Sequence, residues 1–569
     1  MKFANRRLNG RTTREIAPDE IFLDSSNLPV RNEGQFEGRV VRSVESKSLI
    51  GVGVAFAFFL LVFAARTFQL EVIRGPAYAD ISRDNRLERS VVFAMRGLIL
   101  DRTGRELAWN DSSHLLSATT SLYALRRYTE LPGLSHVLGF LRYPKADSSG
   151  RWWREDYAGV SGVELAYNEL LRGLNGSSMI ETNAHGEVQQ QNIVVHPTNG
   201  ENATLSIDAE VQSKLHTILS THAVRQGFEG GAAVIMDVKT GELLALTSFP
   251  EYDNKAFMAG DATAIESASA SARIPLLNRA VAGLYTPGSI VKPIFASAAL
   301  AEHIISPKTS IVSTGAITIP NPYNPSQPSI FRDWAVHGAV DMRTAIAVSS
   351  DEYFYTIGGG HDTQKGLGIA KLDEYASKFG LGQQTGVDLL GEASGIVPTP
   401  EWKLQVFGPD DPWLLGNTYH TVIGQFGFQI TPLQAVRYIA AIANGGKLLT
   451  PRIIANETPQ YTEVGISDAD LQVVRDGMRL AVVLERSTAT ARSLNIPGVK
   501  IAAKTGTAEV GSRNQFMHSW SIGYWPADTP RYAYAVVLEK APRGTLFGAT
   551  PALRPFFEWL VAEKPEYVN

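Results

Sequence analysis

A serine and a lysine stand one helical turn apart at the start of an apolar segment. In YTPGSIVKPIFASAAL, residues 285–300, Ser289 and Lys292 precede a run of Ile, Val, Phe, Ala and Leu. Pro287 and Gly288 end whatever comes before them, so we expect a helix to begin at or near Ser289. An amine one turn deeper on the same face can take the proton of a hydroxyl when burial or a second cation favours its neutral form. The pair therefore predicts a serine nucleophile with a lysine base.

The alternative interpretation of this pair is structural: the serine caps the helix and the lysine amine reaches solvent. Ser-x-x-Lys alone is a weak signal in a chain of 569 residues, although Ser289 is the only serine with lysine at the third following position. Other elements of the chain must therefore decide between the two interpretations.

Two further segments carry residues of the same chemical kind. AVSSDEYFY (347–355) places Ser349 and Asp351 in an apolar stretch, either as site residues or as a local cap of a helix. Lys-Thr-Gly occurs in a predicted hairpin turn at 239–241, where it is structural, and inside a predicted strand at 504–506. A glycine within a strand marks a close approach by a ligand or another backbone. The second copy is therefore the candidate site element, with the N–H of Thr507 as a second oxyanion donor.

These residues need a sheet and helices to hold them. GGAAVIMDVKTGELLALTSFP (230–250) predicts a hairpin, and three consecutive strands are predicted over 500–510, 518–527 and 531–541. Helical segments fill much of the chain between them, and Asp208 is the predicted N-cap of a helix that precedes the hairpin. The predicted class is α+β, an antiparallel sheet with helices packed on it.

Composition excludes several classes of function. The net charge is −4, so no whole-chain basic field indicates a nucleic-acid partner. The chain contains no cysteine, which excludes disulfides, a cysteine nucleophile and a cysteine-ligated metal. Its length predicts two to four domains.

An uncharged apolar segment near the N-terminus predicts a membrane anchor. LIGVGVAFAFFLLVFAA runs from Leu49 to Ala65 and would span roughly 25 Å as a helix. A cleaved signal peptide and a buried globular helix are the alternatives, but the polar leader is long for the first and the lack of a polar face is unusual for the second. We expect a retained single span, with the basic leader in the cytoplasm and the rest of the chain outside.

The predicted organisation has four parts. They are a cytoplasmic polar tail (1–47), a transmembrane helix (48–66), a mostly-β spacer or docking domain (67–205) and a catalytic domain (206–569). The spacer carries one predicted helix over 162–174, in which Glu164, Asn168 and Arg172 share a polar face.

The order Ser-x-x-Lys, Ser-x-Asn/Asp, Lys-Thr-Gly at 289, 349 and 504 is the active-site set of penicillin-binding proteins and serine β-lactamases. On these motifs the chain resembles the class B penicillin-binding proteins, the D,D-transpeptidases of bacterial cell-wall synthesis. The resemblance covers nearly the whole chain after the tail. It extends over RGLILDRTGRELA (96–108), GVSGVELAYNELLRGLNG (159–176), GAAVIMDVKTGELLALTSFPEYDNKAF (231–257), NRAVAGLYTPGSIVKP (278–293), IGQFGFQITPLQ (423–434) and KTGTAEV (504–510).

Within class B, the chain looks most like penicillin-binding protein 2, the cell-elongation type. Three features carry this likeness: FRDW with HG (331–338), the Ser-x-Asp form and GNTYHTVIGQ (416–425). Three departures stand out. Asp351 replaces the usual Asn, and a carboxylate there favours the protonated form of Lys292 unless Lys504 offsets it. Phe426 replaces a glycine of the usual IGQG. Some elongation enzymes hold a metal near the site, of which Asp333 and His337 are possible remnants, but without cysteine we predict neither a metal nor another cofactor.

The resemblance implies roles for the matching residues. Ser289 attacks the D-Ala–D-Ala bond of a peptidoglycan stem peptide with Lys292 as base, and Ser349 relays a proton to the leaving D-Ala, oriented by Asp351 and Lys504. Implied substrate-binding residues are Thr505, Gly506 and Thr507. The resemblance implies a fold of two domains. The first is a pedestal, similar to a dimerisation domain, and it carries a catalytic domain similar to the serine β-lactamases.

The same resemblance implies a setting. It implies a bacterial inner-membrane enzyme with an extracytoplasmic catalytic domain, acylated by β-lactams. The implied partners are a polytopic membrane glycosyltransferase and other proteins of the elongation complex. Alternatives are a division-type class B transpeptidase, a non-catalytic β-lactam-binding scaffold or sensor, and a serine β-lactamase, against which the anchor and the pedestal argue.

Overall fold

The computed structural model describes residues 46–84, 87–113, 122–148, 151–182, 188–321, 323–324 and 326–568. Of the predicted polar tail (1–47), residues 1–45 lie outside the described residues. The chain divides into two compact units, Met1–Leu87 and Glu88–Asn569.

The first unit is helical where it is described. Helix α1 (Ser46–Phe68) continues into a π-helical turn (Gln69–Ile73), and α2 (Gly75–Asp84) follows. The 28 residues Ser46–Ile73 are long and apolar enough to cross a membrane, and none of the apolar stretch is buried in protein. The predicted anchor (48–66) lies within this helix, which supports membrane anchoring.

The N-terminal part of the second unit, the pedestal, is built from short strands with three small helices. A three-stranded sheet has the order β1-β9-β10, a four-stranded sheet has the order β11-β2-β3-β4, and β5-β8 and β6-β7 are separate pairs. The elements are β1 (Leu87–Val92), β2 (Ile99–Leu100), β3 (Glu106–Asp111), β4 (Leu125–Tyr128), α3 (Ser135–Leu138), β5 (Leu141–Arg142), β6 (Lys145–Ala146), β7 (Trp152–Arg154), β8 (Ala158–Gly159), α4 (Gly162–Ala166), α5 (Asn168–Arg172), β9 (Gly176–Thr182), β10 (Val188–Val195) and β11 (Ala203–Thr204).

The single helix predicted over 162–174 is wrong in one respect. It is two short helices, α4 and α5, separated at Tyr167, whose backbone leaves helical geometry at φ −110° and ψ 26°. The Tyr167 hydroxyl donates a hydrogen bond to Asp388 in the catalytic part of the chain. This tertiary contact accompanies the break in a segment whose apolar pattern favours one helix.

The catalytic part contains a five-stranded antiparallel sheet with the order β13-β12-β22-β21-β20. Its strands are β12 (Gly230–Asp237), β13 (Leu243–Phe249), β20 (Ala502–Val510), β21 (Phe516–Trp525) and β22 (Tyr532–Pro542). The predicted hairpin and the three predicted C-terminal strands are confirmed. Helix α6 (Ala209–Gln226) begins at Asp208, whose carboxylate accepts two backbone N–H bonds as predicted.

Helices cover both faces of this sheet, so the predicted α+β class is confirmed. The remaining helices are α7 (Asn254–Ala259), α8 (Ala262–Ala270), α9 (Lys292–Ala301), α10 (Met342–Val348), α11 (Asp351–Gly359), α12 (Gly368–Lys378), α13 (Pro400–Phe407), α14 (Leu415–Val422), α15 (Pro432–Ala443), α16 (Asp468–Val483), α17 (Ala549–Ala552) and α18 (Arg554–Glu563). Short strands form the pairs β14 (Ile311–Ser313) with β17 (Gly338–Val340), β15 (Ala316–Ile319) with β16 (Ser329–Arg332), and β18 (Lys447–Leu449) with β19 (Tyr461–Glu463).

Helix α9 is the centre of the core. Its residues from Lys292 to Leu300 are all buried, and it packs against α10, α11, α12 and α16. Helix α15 lies on one face of the sheet, and α6 lies against the hairpin strands β12 and β13. Because α9 is enclosed on every side, the side chain of its first residue, Lys292, is held rigidly.

Candidate active site

Ser289 lies in a tight turn at the mouth of α9. The turn is a 3₁₀ helix, Gly288–Val291. The α-helix itself begins at Lys292, three residues after Ser289, where we expected the helix to start. Gly288 has a φ of +57°, and its N–H donates to the Gly424 carbonyl oxygen at 2.9 Å. The left-handed backbone of Gly288 therefore offsets Ser289 from the helix and holds it against the segment that follows α14.

Lys292 is fully buried and is committed to polar partners. Its Nζ donates to the Asp351 carboxylate at 2.6 Å, to the Ser349 carbonyl oxygen at 2.8 Å and to Ser349 Oγ at 3.3 Å. Among the described residues, the hydrogen bonds of this amine do not include Ser289. The predicted base is thus one turn from the predicted nucleophile and is bonded to the second motif.

Ser349 stands at the junction between α10 and α11. It ends α10 with a left-handed backbone (φ 59°, ψ 40°), an uncommon conformation for a residue with a side chain. The cap of α11 is Ser350, whose hydroxyl accepts the N–H of Tyr353. The helix-cap alternative therefore belongs to Ser350, and the strained backbone leaves the Ser349 hydroxyl for the two lysines.

Lys504 approaches the same hydroxyl from the sheet. It is fully buried on β20, and its Nζ donates to Ser349 Oγ at 2.8 Å and to the Thr505 carbonyl oxygen at 2.7 Å. Burial, with the positive charge of Lys292 added, holds the pKa of Lys504 well below its usual value. Ser349 Oγ is thus shared by two amines, which is a suitable arrangement for passing a proton.

The Asp351 carboxylate sits beside this pair of lysines. Burial raises the pKa of Asp351, and the charge of Asp333 adds to this, while Lys292 and Lys504 oppose it. Asp351 is therefore a carboxylate whose negative charge depends on the two amines beside it.

Asp333 positions the start of α11. Its Oδ2 accepts the Ser350 hydroxyl at 2.7 Å and the Glu352 N–H at 3.0 Å, and His337 Nε2 lies 3.4 Å from Oδ1. Burial alone would raise the pKa of Asp333, but these donors and the charge of Lys292 lower it to about 2. Over the described residues, no group of three or more His, Asp or Glu side chains is arranged to hold a metal ion.

The third motif lies along the edge strand of the sheet. A Cβ on Gly506 would stand 2.8 Å from the Pro287 carbonyl oxygen and 2.8 Å from the Ile290 side chain. The expected close approach at this glycine is therefore made by the backbone of the nucleophile turn. The neighbours Thr505 and Thr507 lie on the same edge strand, with Thr507 exposed.

A cavity of about 710 Å³ opens beside these motifs. Ser289, Asp351 and Thr507 line it, whereas Lys292, Ser349 and Lys504 lie behind the lining. The structure adds lining residues for which no role was predicted: Arg332, Trp334, Tyr355, His420, Glu509 and Arg543. Of these, Arg332, Trp334, His420 and Glu509 stand in segments that carried the family resemblance, and that position is the signal that marks them.

Phe426, which replaces a glycine of the usual motif, also lines the cavity. Its backbone keeps a glycine-like φ of 59°, and its ring packs 5.6 Å from that of Trp413 and 5.9 Å from that of Trp402. The replacement of glycine by Phe426 thus keeps the left-handed backbone and adds an aromatic side chain to the cavity lining.

Comparison with protein families agrees with this arrangement. Residues 231–558 match the penicillin-binding protein transpeptidase domain, and residues 113–205 match the penicillin-binding protein dimerisation domain. The chain belongs to the penicillin-binding protein transpeptidase family. The predicted recognition and the enzyme class, serine-type acyl transfer by a D,D-transpeptidase, are confirmed at the level of this family.

Two similar relatives are both named peptidoglycan D,D-transpeptidase MrdA. The protein from Acinetobacter baumannii is 32% identical over 76% of this chain and 65% of its own length. The protein from Haemophilus influenzae is 30% identical over 78% of this chain and 70% of its own length. The chain therefore spans about two thirds of these relatives.

Solved structures show the same fold. Penicillin-binding protein 2 of Helicobacter pylori, in complex with MreC, is 26% identical with a TM-score of 0.69 over 84% of this chain and 99% of that one. Penicillin-binding protein 2 of Pseudomonas aeruginosa, in complex with WCK 5153, is 26% identical with a TM-score of 0.68 over 85% and 98%. The domain bounds at 67–205 and 206–569 and the roles of individual site residues stay predictions.

Proposed function

We propose that the chain is a membrane-anchored peptidoglycan D,D-transpeptidase that cross-links stem peptides through an acyl-enzyme on Ser289 during cell elongation and shape maintenance. The observation that carries the proposal is the convergence of Lys292, which follows Ser289 by one turn, and Lys504 on the hydroxyl of Ser349. A serine β-lactamase would share the motifs, but the helix at Ser46–Ile73 and the pedestal favour a wall-building enzyme.

In the acylation step, Ser289 Oγ attacks the carbonyl carbon of the D-Ala–D-Ala bond and gives its proton to Lys292. The N–H groups of Ser289 and Thr507 hold the oxyanion. Collapse breaks the carbon–nitrogen bond, and the proton passes from Lys292 through Ser349 to the leaving amine. The short contacts around Ser349 support this route because no atom needs to travel far.

The remaining polar residues orient the substrate and the relay. Thr505 and Thr507 bind the terminal carboxylate through hydrogen bonds, the charge of Lys504 attracts it from behind the cavity lining, and Gly506 leaves the strand edge open to the peptide. Asp351 keeps Lys292 in place, and its charge acts on Lys504. An amine from a neighbouring stem peptide then attacks the ester carbon, the new amide forms, and Ser289 recovers its proton.

The setting of the enzyme follows from its anchor and its relatives. We place the N-terminus in the cytoplasm and the second unit outside the inner membrane, since the leader is basic. One similar structure belongs to a peptidoglycan synthase complex that coordinates polymerisation and cross-linking, with a TM-score of 0.69 and 26% identity over 91% of this chain and 99% of that one. By likeness, the partner is a polytopic glycosyltransferase together with other elongation proteins.

The test is intact mass spectrometry of the full chain in detergent after incubation with benzylpenicillin. The wild type is expected to gain the full mass of the drug, Ser289→Ala to gain none, and Ser269→Ala, which alters an exposed serine on α8, to behave as wild type. A wild type that hydrolyses the drug without an adduct would be a β-lactamase. An adduct that persists in Ser289→Ala would place the nucleophile elsewhere.

A further inference from the structure

The second half of the proposed reaction needs a base that the incoming amine can contact directly. The acceptor is an amine, which is mostly protonated at neutral pH and must lose a proton to attack the ester. Lys292 and Lys504 have no solvent-exposed surface, and their amines are bonded to Asp351 of the cavity lining and to Ser349 behind it. An incoming amine therefore cannot reach either lysine directly.

His420 is placed to meet that amine. It lies in the last turn of α14 and lines the same cavity as Ser289. Four residues further on, Gly424 accepts the N–H of Gly288, so the end of α14 is fixed against the nucleophile turn. The His420 ring rests 5.4 Å from that of Phe331, which sets its orientation from the other side.

The charge state of His420 suits a base. Its side chain is accessible from the cavity, yet the surrounding protein is close enough that desolvation lowers the pKa of His420, with Asp351 partly opposing the shift. The imidazole is then neutral at pH 7 and above. Within the part of the chain that the structure describes, its ring nitrogens have no hydrogen-bond partner from the protein, so they are available to a substrate.

The other charged groups that line the cavity are already engaged or are less basic. Glu509 is paired with Arg543 at 2.9 Å, Asp333 is held by Ser350, and Asp351 is held by Lys292. Arg332 is a permanent cation. The charged residues of α12, which also packs on α14, are not part of the cavity lining that the structure describes.

We propose that His420 accepts the proton of the acceptor amine as it attacks the acyl-enzyme, an inference that rests on the proposed function. The amine nitrogen bonds to the ester carbon, the carbon–oxygen bond to Ser289 breaks, and the amine proton moves to an imidazole nitrogen. Ser289 Oγ takes up a proton from solvent as the carbon–oxygen bond breaks, the imidazolium gives its proton to solvent, and Lys292 is left in the neutral form in which it began. His420 is thus a catalytic residue for aminolysis and not for acylation.

The experiment separates the two half-reactions on the full chain in detergent. The acyl donor is an N-acyl-D-alanyl thioester, and the acceptor is D-alaninamide at increasing concentration. The slope of deacylation rate against acceptor concentration reports aminolysis alone. We expect His420→Gln to lower this slope at pH 7 at least about tenfold, as for loss of a general base, while benzylpenicillin acylation changes less than about twofold.

The pH dependence gives a readout that a structural role would not move. The deficit of His420→Gln is expected to narrow as pH rises towards 9, because the acceptor amine then loses its proton to solvent. His361→Gln, which alters a histidine outside the cavity lining, is the matched control. His420→Ala with added imidazole serves as a second variant, and imidazole should restore part of the slope.

The outcomes are distinct. An unchanged slope in both His420 variants, with normal acylation, overturns this inference and leaves the proposed function standing. A slope lowered equally at every pH, without recovery by imidazole, also overturns it. A wild type that forms no penicilloyl adduct instead contradicts the proposed function.

Discussion

The pedestal buries a carboxylate between two cations. Glu164 receives Arg96 at 2.6 Å and Arg126 at 2.8 Å, and all three side chains have no exposed surface. Burial alone would raise the pKa of Glu164, but the two guanidinium groups reverse this and the pKa lies below its usual value. The Glu164 carboxylate therefore stays charged and remains paired with Arg96 and Arg126.

The catalytic domain also places a carboxylate, partly buried, beside two cations, with the opposite result. Asp351 meets Lys292 at 2.6 Å and also feels Lys504, yet burial dominates and raises the pKa of Asp351. The pKa of Lys504 is lowered by burial and by Lys292. Both shifts favour the neutral forms of Asp351 and Lys504.

The two regions differ in the chemistry of the cation. A guanidinium cannot lose a proton in a protein and binds carboxylates through a rigid fork, whereas a buried ammonium loses its proton readily. The pedestal cluster therefore only stabilises structure. In the cluster behind Ser289, protons can transfer between the side chains. Replacing a lysine of that cluster by arginine should therefore remove the difference between the two regions.

The largest effect is expected from Lys292→Arg. The guanidinium keeps the positive charge and the partner Asp351 but cannot act as a base, so benzylpenicillin acylation should slow by about 10³-fold. The measurement is the rate of adduct formation by mass spectrometry, with the exposed Lys255→Arg as the control. Acylation within tenfold of wild type would show that position 292 needs only a charge.

The next effect is expected in the pedestal from Glu164→Gln. This variant leaves Arg96 and Arg126 buried without a counter-charge, which costs about 3–5 kcal/mol of folding free energy. Urea unfolding followed by circular dichroism should show an early transition in the variant, while acylation of Ser289 in native buffer is retained. The exposed Glu155→Gln is the control, and a variant as stable as wild type would show that the triad contributes no net stability.

The sign of the pH dependence sharpens this test. Because folding lowers the pKa of Glu164, the folded state binds fewer protons than the unfolded state, and its contribution is complete above the usual value near 4.5. It is lost as pH falls through the lowered pKa. The difference between wild type and Glu164→Gln should therefore be full at pH 7 and should shrink below pH 4.5.

The sequence predicted the catalytic cluster better than the pedestal cluster. Ser289, Lys292 and Lys504 belong to short motifs in which the chemistry dictates the spacing. Glu164 is paired with arginines 68 and 38 residues away, and no local pattern distinguishes it from an exposed helical glutamate. The same limit explains why one helix was predicted over 162–174, since the contact from Tyr167 at the break reaches a residue far along the chain.

His420 marks an intermediate case. The segment 416–425 was visible in the sequence as a family-like element, but nothing in it indicates which side chain faces the cavity. The direction follows from the contact between Gly424 and Gly288, which only the folded chain brings together. The core strands, in contrast, could be predicted because runs of apolar residues between turn signals specify them locally.

The smallest effect is expected from Asp351→Asn, which restores the residue usual in the superfamily. The amide keeps an acceptor for Lys292 at the 2.6 Å contact but removes the negative charge beside the two lysines. We expect acylation at pH 7 within about threefold of wild type. The acidic limb of the rate–pH profile should move to lower pH, since the charge of Asp351 opposes the lowering of the Lys504 pKa and is absent from the variant.

The control for that variant is Asp362→Asn, whose carboxylate is 83% exposed. If Asp351→Asn instead loses about a hundredfold in rate with no movement of the profile, the carboxylate does more than tune Lys504, and it must carry a proton of the relay itself. If the profile moves as expected, the catalytic cluster tolerates the loss of its carboxylate charge, whereas the pedestal cluster does not tolerate the loss of Glu164. That contrast would tie the difference between the two regions to their cations, since each substitution replaces a carboxylate by the corresponding amide.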